Sequence, residues 1–156
     1  MVLCGSEARV AALDDALWAA AEPDWLPHGS ARTGEADLQP IWLTAVPEAP
    51  NGARYLFLID STDTDAGPFE RVFDLFDGTD EAAVQAARRR WTAAKAAGHQ
   101  LTYWQQGERG WERRPDSHDS VMPRSMSALR CTSIRVWTIL GGGGGVATGS
   151  VRLRAE

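Results

Sequence analysis

Apolar residues along the first 115 positions alternate between short continuous runs and longer stretches with helical spacing. The runs predict four buried strands, Val2–Cys4, Pro40–Thr44, Tyr55–Asp60 and Val72–Phe76. Apolar positions repeating every three to four residues predict helices over Glu7–Ala20 and Thr79–Gly98. This alternation of strand and helix predicts an α/β fold, a three-layer sandwich around a largely parallel sheet.

Capping residues indicate where the two predicted helices begin and end. Ser6 is positioned to cap the first helix, and Thr79 or Asp80 to cap the second, with Gly98 after its last turn. Two further apolar segments, Leu101–Trp104 and Gly110–Arg113, are separated by a short polar turn and predict a hairpin.

The amino-acid composition of the chain changes after Pro115. Serine, arginine and the five consecutive glycines Gly141–Gly145 dominate there. We therefore expect one domain over residues 1–115 and a largely disordered tail over residues 116–156. Within that tail, only Ile134–Leu140 has the composition of a strand, and we expect it to be isolated.

Composition restricts the partners of the protein. The chain has 156 residues, with 44% hydrophobic and 24% charged residues, as in a soluble globular domain. Its formal charge of −5 argues against DNA as a direct partner, because phosphate binding needs a basic surface. The two cysteines, Cys4 and Cys131, form no metal or disulfide motif. With no apolar run of membrane-spanning length and no secretion signal, we expect a cytoplasmic protein and no membrane contact.

The second predicted helix carries the strongest functional signal. At about 100° per residue, a stripe on roughly one third of its circumference contains cationic, aromatic and apolar residues: Val84, Arg88, Trp91, Thr92 and Lys95. The alanines lie mostly opposite, where they would allow close packing on a sheet. The stripe predicts a binding site for an acidic, partly apolar ligand. Alternatively, the arginine and lysine stems merely cover the tryptophan.

A second candidate surface follows the first helix. Trp18 lies near the end of that helix, and Trp25, Leu26 and Pro27 come within a few residues of it. Exposed aromatic clusters are typical of protein interfaces. These residues could equally be core residues that anchor the loop, and the sequence does not choose between the two.

No set of residues predicts catalysis or a resident metal. His28 lies in a Pro-His-Gly turn, where binding to nearby backbone is favoured over a role as a base. Asp60, Asp63 and Asp65 have the pattern of a solvated loop, and the glycine run lacks the residues of a phosphate-binding loop. We therefore expect no catalytic residues, no metal and no cofactor. A small nucleotide-dependent enzyme on the same α/β fold is the alternative.

Several segments closely resemble the chi subunit of bacterial DNA polymerase III. The order and spacing agree across residues 1–114, and the resemblance is carried by Leu13–Trp18, Trp25–Gly29, Asn51–Ala53, Phe69–Gly78 and Ala87–Gly98. It implies a Rossmann-like domain without an active site, acting as an accessory subunit of the clamp-loader complex. Family members usually begin with a further strand and helix, so we expect the start to be misplaced or the chain truncated, and a nonfunctional copy is a third possibility.

The resemblance also implies two partners. An arginine and an aromatic residue one turn later bind the acidic C-terminal tail of single-stranded DNA-binding protein, and these positions match Arg88 and Trp91. Thr92 stands where a basic residue is frequent, and Lys95 would replace it one turn later. The positions that contact the psi subunit match Trp18 and Trp25–Pro27. A heterodimer with psi is expected rather than a homo-oligomer, with DNA contacted only indirectly.

Overall fold

The structure is a computed structural model that describes residues 1–20, 26–60, 62–107, 110–114 and 134–140. These residues form two α-helices, α1 (Glu7–Trp18) and α2 (Glu81–Ala96), and a short 3-10 turn at Ala36–Leu38. They also form eight strands, in chain order β1 (Val2–Leu3), β2 (His28–Ser30), β3 (Ile41–Thr44), β4 (Tyr55–Leu58), β5 (Arg71–Asp77), β6 (Gln100–Gly107), β7 (Gly110–Arg114) and β8 (Ile134–Leu140).

All eight strands belong to one sheet with the order β2-β3-β1-β4-β5-β8-β6-β7. The first five of these run parallel to one another. The chain leaves β1 through α1 towards β2 on one side, and later returns to β4 on the other side of β1. This reversal of direction is the arrangement of a doubly wound α/β sheet, and it confirms the predicted fold class.

The two faces of the sheet carry separate cores. Val2 and Cys4 pack with Val10 of α1, whereas Leu3 between them packs with Val84 of α2. Successive strand residues point to opposite faces, so the two helices lie on opposite sides of the sheet. The layers are therefore α, β and α. Burial in the α1 core raises the pKa of the Cys4 thiol to about 11, so this thiol stays protonated near neutral pH.

The predicted elements are found with small shifts at their ends. The Ser6 hydroxyl accepts a hydrogen bond from Arg9 N–H, and Asp80 rather than Thr79 caps α2. α1 ends at Trp18, two residues before the predicted end. β2 lies in a segment for which no strand was predicted from the sequence. The predicted hairpin is formed by β6 and β7.

The sheet also contains β8, from the segment expected to be a tail. Its backbone pairs antiparallel with β5 on one side and with β6 on the other. Ile134–Leu140 is therefore neither isolated nor part of a disordered tail, and the expectation is wrong for these seven residues. The physical reason is that hydrogen bonding to both neighbours satisfies the whole backbone of the strand. Residues 116–133 and 141–156, for which disorder was also expected, lie outside the described part of the chain.

Candidate protein-binding site

The helix α2 faces the sheet with a different set of residues from the one predicted. Val84, Ala87 and Ala94 are buried, and Trp91 is half-buried against the same core. Other alanines of the helix, Ala82, Ala93 and Ala96, are exposed. Alanine therefore lies on both sides of α2, and the assignment of an alanine face to the sheet is only partly right.

Val84 is the one predicted site residue whose proposed role the structure contradicts. The residue is 1% exposed and packs in the core on the α2 side of the sheet. It cannot form the wall of an external apolar pocket, because its side chain is buried in this core and does not reach solvent. The branched side chain is the largest apolar group in that part of the helix, and burial of such a group outweighs any placement at the surface.

Replacing Val84 with alanine is expected to lower the free energy of unfolding by about 2 kcal/mol, since buried methyl groups are lost and a cavity remains. Urea denaturation followed by circular dichroism measures this. The exposed Thr92 provides the control, because Thr92→Ala should change stability by less than about 0.5 kcal/mol. If Val84→Ala left stability unchanged, Val84 would not be a core residue.

The other four residues predicted for this site lie along one edge of α2. Arg88 and Trp91 are half-buried, and Thr92 and Lys95 are exposed. Residues three or four apart on a helix are neighbours on its surface, so Arg88, Trp91 and Lys95 form one continuous strip. The Thr92 hydroxyl donates a hydrogen bond to the Arg88 carbonyl oxygen at 2.9 Å. We call these four residues the α2 edge.

An ion pair that was not predicted from the sequence fixes α2 on the sheet. Arg90 donates from Nε to Asp74 Oδ2 at 2.6 Å and from Nη2 to Asp74 Oδ1 at 2.9 Å. The Asp74 side chain on β5 is fully buried, and that of Arg90 is 11% exposed. Such a two-pronged contact fixes orientation as well as distance. It therefore sets the rotation of α2, and with it the direction in which Arg88 points.

A signal for this pair was present in the sequence. Asp74 interrupts the apolar run Val72–Phe76, and a carboxylate on a buried strand requires a counter-charge. Three arginines follow on the next helix, Arg88, Arg89 and Arg90. The helical rotation of about 100° per residue separates them, so that Arg90 points to the sheet, Arg89 to solvent and Arg88 to the boundary between them.

The second predicted surface lies on the opposite side of the sheet, next to α1. Trp18 is 56% exposed and Leu26 is 46% exposed, so neither is a core residue. Pro27 is half-buried, and Trp25 lies outside the described residues. Beneath Trp18 lies His28, whose ring centroid is 5.0 Å from that of the indole. The exposed Trp18 and Leu26 favour an interface over a loop anchor at these two positions.

The structure also bears on the alternative of a nucleotide-dependent enzyme. In doubly wound folds a phosphate binds near the start of a helix, at the point where the strand order reverses. Here the Asp60 carboxylate lies at that point. It accepts a hydrogen bond from Gly5 N–H at 3.3 Å and lies 3.1 Å from Arg9 Nε. A negative side chain in the position of a phosphate repels a nucleotide, so this observation disfavours the alternative.

Neither a metal site nor a membrane-spanning helix is found among the described residues. Within the described ranges, no group of three or more histidine, cysteine, aspartate or glutamate residues is arranged to hold a metal ion. The helices in this part of the chain are all too short or too polar to cross a membrane.

The sheet order and the two helix layers define a Rossmann-like α/β domain of the doubly wound class. Within that class, a family model gives the assignment. The model of the DNA polymerase III chi subunit, HolC, matches residues 1–102, about two thirds of the chain, and the protein belongs to this family. No curated protein and no solved structure matched the chain.

Proposed function

We propose that this protein is a non-catalytic accessory subunit of the DNA polymerase III holoenzyme that links the clamp-loader complex to single-stranded DNA-binding protein. In this proposal the α2 edge binds the acidic C-terminal tail of that protein in the cytoplasm. DNA is contacted only through the bound partner. A second weak contact of this kind raises the local concentration of the polymerase complex on coated template.

The observation that carries the proposal is the grouping of Arg88, Trp91 and Lys95 on one edge of α2. A tail of the kind expected from the family is acidic and ends in an apolar residue with a free carboxylate. An arginine guanidinium can bind a carboxylate through two parallel hydrogen bonds. Trp91 offers an apolar surface one turn away, and Lys95 adds positive charge. Since Val84 is buried, Trp91 supplies the apolar contact in place of the pocket predicted from the sequence.

The second partner is assigned to the surface around Trp18. We propose that the psi subunit contacts Trp18, Leu26 and Pro27, together with the adjoining Trp25, and tethers the protein to the clamp loader. The exposed indole of Trp18 and the exposed side chain of Leu26 support this, because large exposed apolar residues are enriched at interfaces. The two proposed surfaces lie on opposite faces of the sheet, so both partners can bind at once.

A peptide titration tests the α2 edge. A fluorescent peptide matching the last residues of the organism's single-stranded DNA-binding protein is titrated with the full chain, once with a free C-terminal carboxylate and once with a C-terminal amide. Loss of a charge-assisted hydrogen bond is worth about 1.5–3 kcal/mol, so we expect about tenfold or greater weakening on amidation. A peptide of the same composition in scrambled order is the control for simple charge attraction. Equal affinity of all three peptides would contradict the proposal.

A further inference from the structure

A buried polar cluster lies between α1 and β2, directly beneath the exposed Trp18. The His28 side chain is fully buried, and that of Asp14 is 7% exposed. Both ring nitrogens of His28 face oxygen atoms. Nδ1 lies 2.7 Å from the carbonyl oxygen of Leu26, and Nε2 lies 3.4 Å from Oδ1 of Asp14.

The chemical nature of these two oxygen atoms determines which ring nitrogens of His28 carry a proton. A carbonyl oxygen only accepts hydrogen bonds, so Nδ1 carries a proton. Nε2 faces a carboxylate, which when ionised also only accepts. A neutral ring with its proton on Nδ1 would turn the Nε2 lone pair towards a buried negative charge, which is repulsive and leaves both groups unsatisfied. Within the described residues, neither Nε2 nor Asp14 Oδ1 has a hydrogen-bond partner.

We infer that His28 is an imidazolium at neutral pH, paired with Asp14, and that this buried ion pair positions Trp18 and Leu26 on the surface above it. With protons on both nitrogens, the ring donates to Leu26 and to Asp14. The distance of 3.4 Å to Asp14 is longer than a good hydrogen bond, and a proton on Nε2 draws the two groups together. The pair then satisfies both buried groups at once.

His28 contacts both exposed apolar residues, Trp18 and Leu26. Its ring lies against the Trp18 indole with centroids 5.0 Å apart and planes tilted by 49°. A cation within about 6 Å of an aromatic ring attracts it, so the charge on His28 fixes the indole. Its Nδ1 fixes the backbone at Leu26. His28 is therefore a positioning residue for this surface, and its effect on partner binding rests on the function proposed above.

Two other charged residues lie next to the pair. Arg32 Nη1 is 3.9 Å from Asp14 Oδ2 and 3.8 Å from Asp15 Oδ1. The Arg32 and Asp15 side chains are largely exposed, at 63% and 75%, so water screens their charges. His28 is the buried counter-charge of Asp14.

The protonation state can be measured on the full chain without any partner. Two-bond proton–nitrogen correlation spectra of the ¹⁵N-labelled protein distinguish imidazolium from either neutral tautomer. The chain has three histidines, and His99→Gln and His118→Gln variants identify the signals of His28. We expect His28 to be doubly protonated at neutral pH. A neutral ring in the unaltered protein would overturn the inference, and this result does not depend on how any variant folds.

A matched pair of variants tests the role of Asp14. Asp14→Asn removes the charge that faces the ring, and Asp15→Asn removes one charge from the adjacent, exposed residue. We expect His28 to become singly protonated, and the indole N–H signal of Trp18 to shift, in Asp14→Asn only. Equal effects of both variants, or no effect of Asp14→Asn, would contradict the pairing. If the psi subunit fails to bind while these spectra turn out as expected, the proposed function fails and the inference about His28 stands.

Discussion

Asp74→Ala is expected to lower the free energy of unfolding by about 3–5 kcal/mol, because it leaves the Arg90 guanidinium in the core without the carboxylate that balances its charge. The carboxylate of Asp74 is fully buried and Arg90 is nearly so. Since domains of this size are stable by only about 5–15 kcal/mol, the loss would be a large share of the total. Urea denaturation monitored by circular dichroism measures it.

Two controls distinguish the effect of breaking the buried ion pair from the effect of removing any negative charge. Asp63 is an exposed aspartate, and Asp63→Ala should change stability by less than about 0.5 kcal/mol. The double variant Asp74→Leu with Arg90→Met removes both charges and keeps apolar volume, so it should recover most of the loss. If Asp74→Ala cost no more than Asp63→Ala, the pair would not be buried in solution.

Arg88→Ala is expected to weaken binding of the acidic tail peptide by about tenfold to a hundredfold, the effect of losing a charge-assisted hydrogen bond to a carboxylate. Fluorescence anisotropy with the labelled peptide measures the dissociation constant. Urea denaturation of the same variant shows whether a loss of stability contributes to the weaker binding.

The neighbouring arginine provides a matched control for this variant. Arg89→Ala removes the same charge from the next position of the same helix, but Arg89 points to solvent on another side of α2. We expect the dissociation constant of the tail peptide to change by less than about threefold, because the loss of one positive charge weakens the electrostatic field around α2. Equal weakening by both variants would show attraction to the general charge of α2 and not recognition at Arg88.

The order of strands and helices could be predicted because each depends on local patterns. The parallel strands β3, β4 and β5 are short apolar runs, and both helices have caps and apolar periodicity. β2 was missed because His28–Ser30 has neither an apolar pattern nor sufficient length. It exists through backbone pairing with β3, which lies more than ten residues away. Ile134–Leu140 was expected to form an isolated strand, and only the pairing of β8 was missed, since its two neighbours are far away in the chain.

The sequence did not indicate which side of α2 faces the sheet. Alanine fits both a core and a surface, so the alanines of α2 did not indicate which side faces the sheet. The prediction therefore centred the stripe too close to Val84, which belongs to the core. The partners of buried polar groups, Asp74 with Arg90 and Asp14 with His28, come from different elements. A single sequence indicates that Asp74 needs a partner but not which arginine supplies it.

The central claim is that Arg88 binds the terminal carboxylate of the tail. Its most direct test combines a change in the peptide with a change in the protein. The affinities of the free-carboxylate and amidated tail peptides are measured for the wild-type protein and for Arg88→Ala, which gives a double-mutant cycle. If Arg88 binds the terminal carboxylate, amidation weakens binding to the wild type by about tenfold or more and has almost no further effect on Arg88→Ala. If amidation weakens binding to both proteins by the same factor, Arg88 does not bind the carboxylate and the account of the α2 edge is wrong.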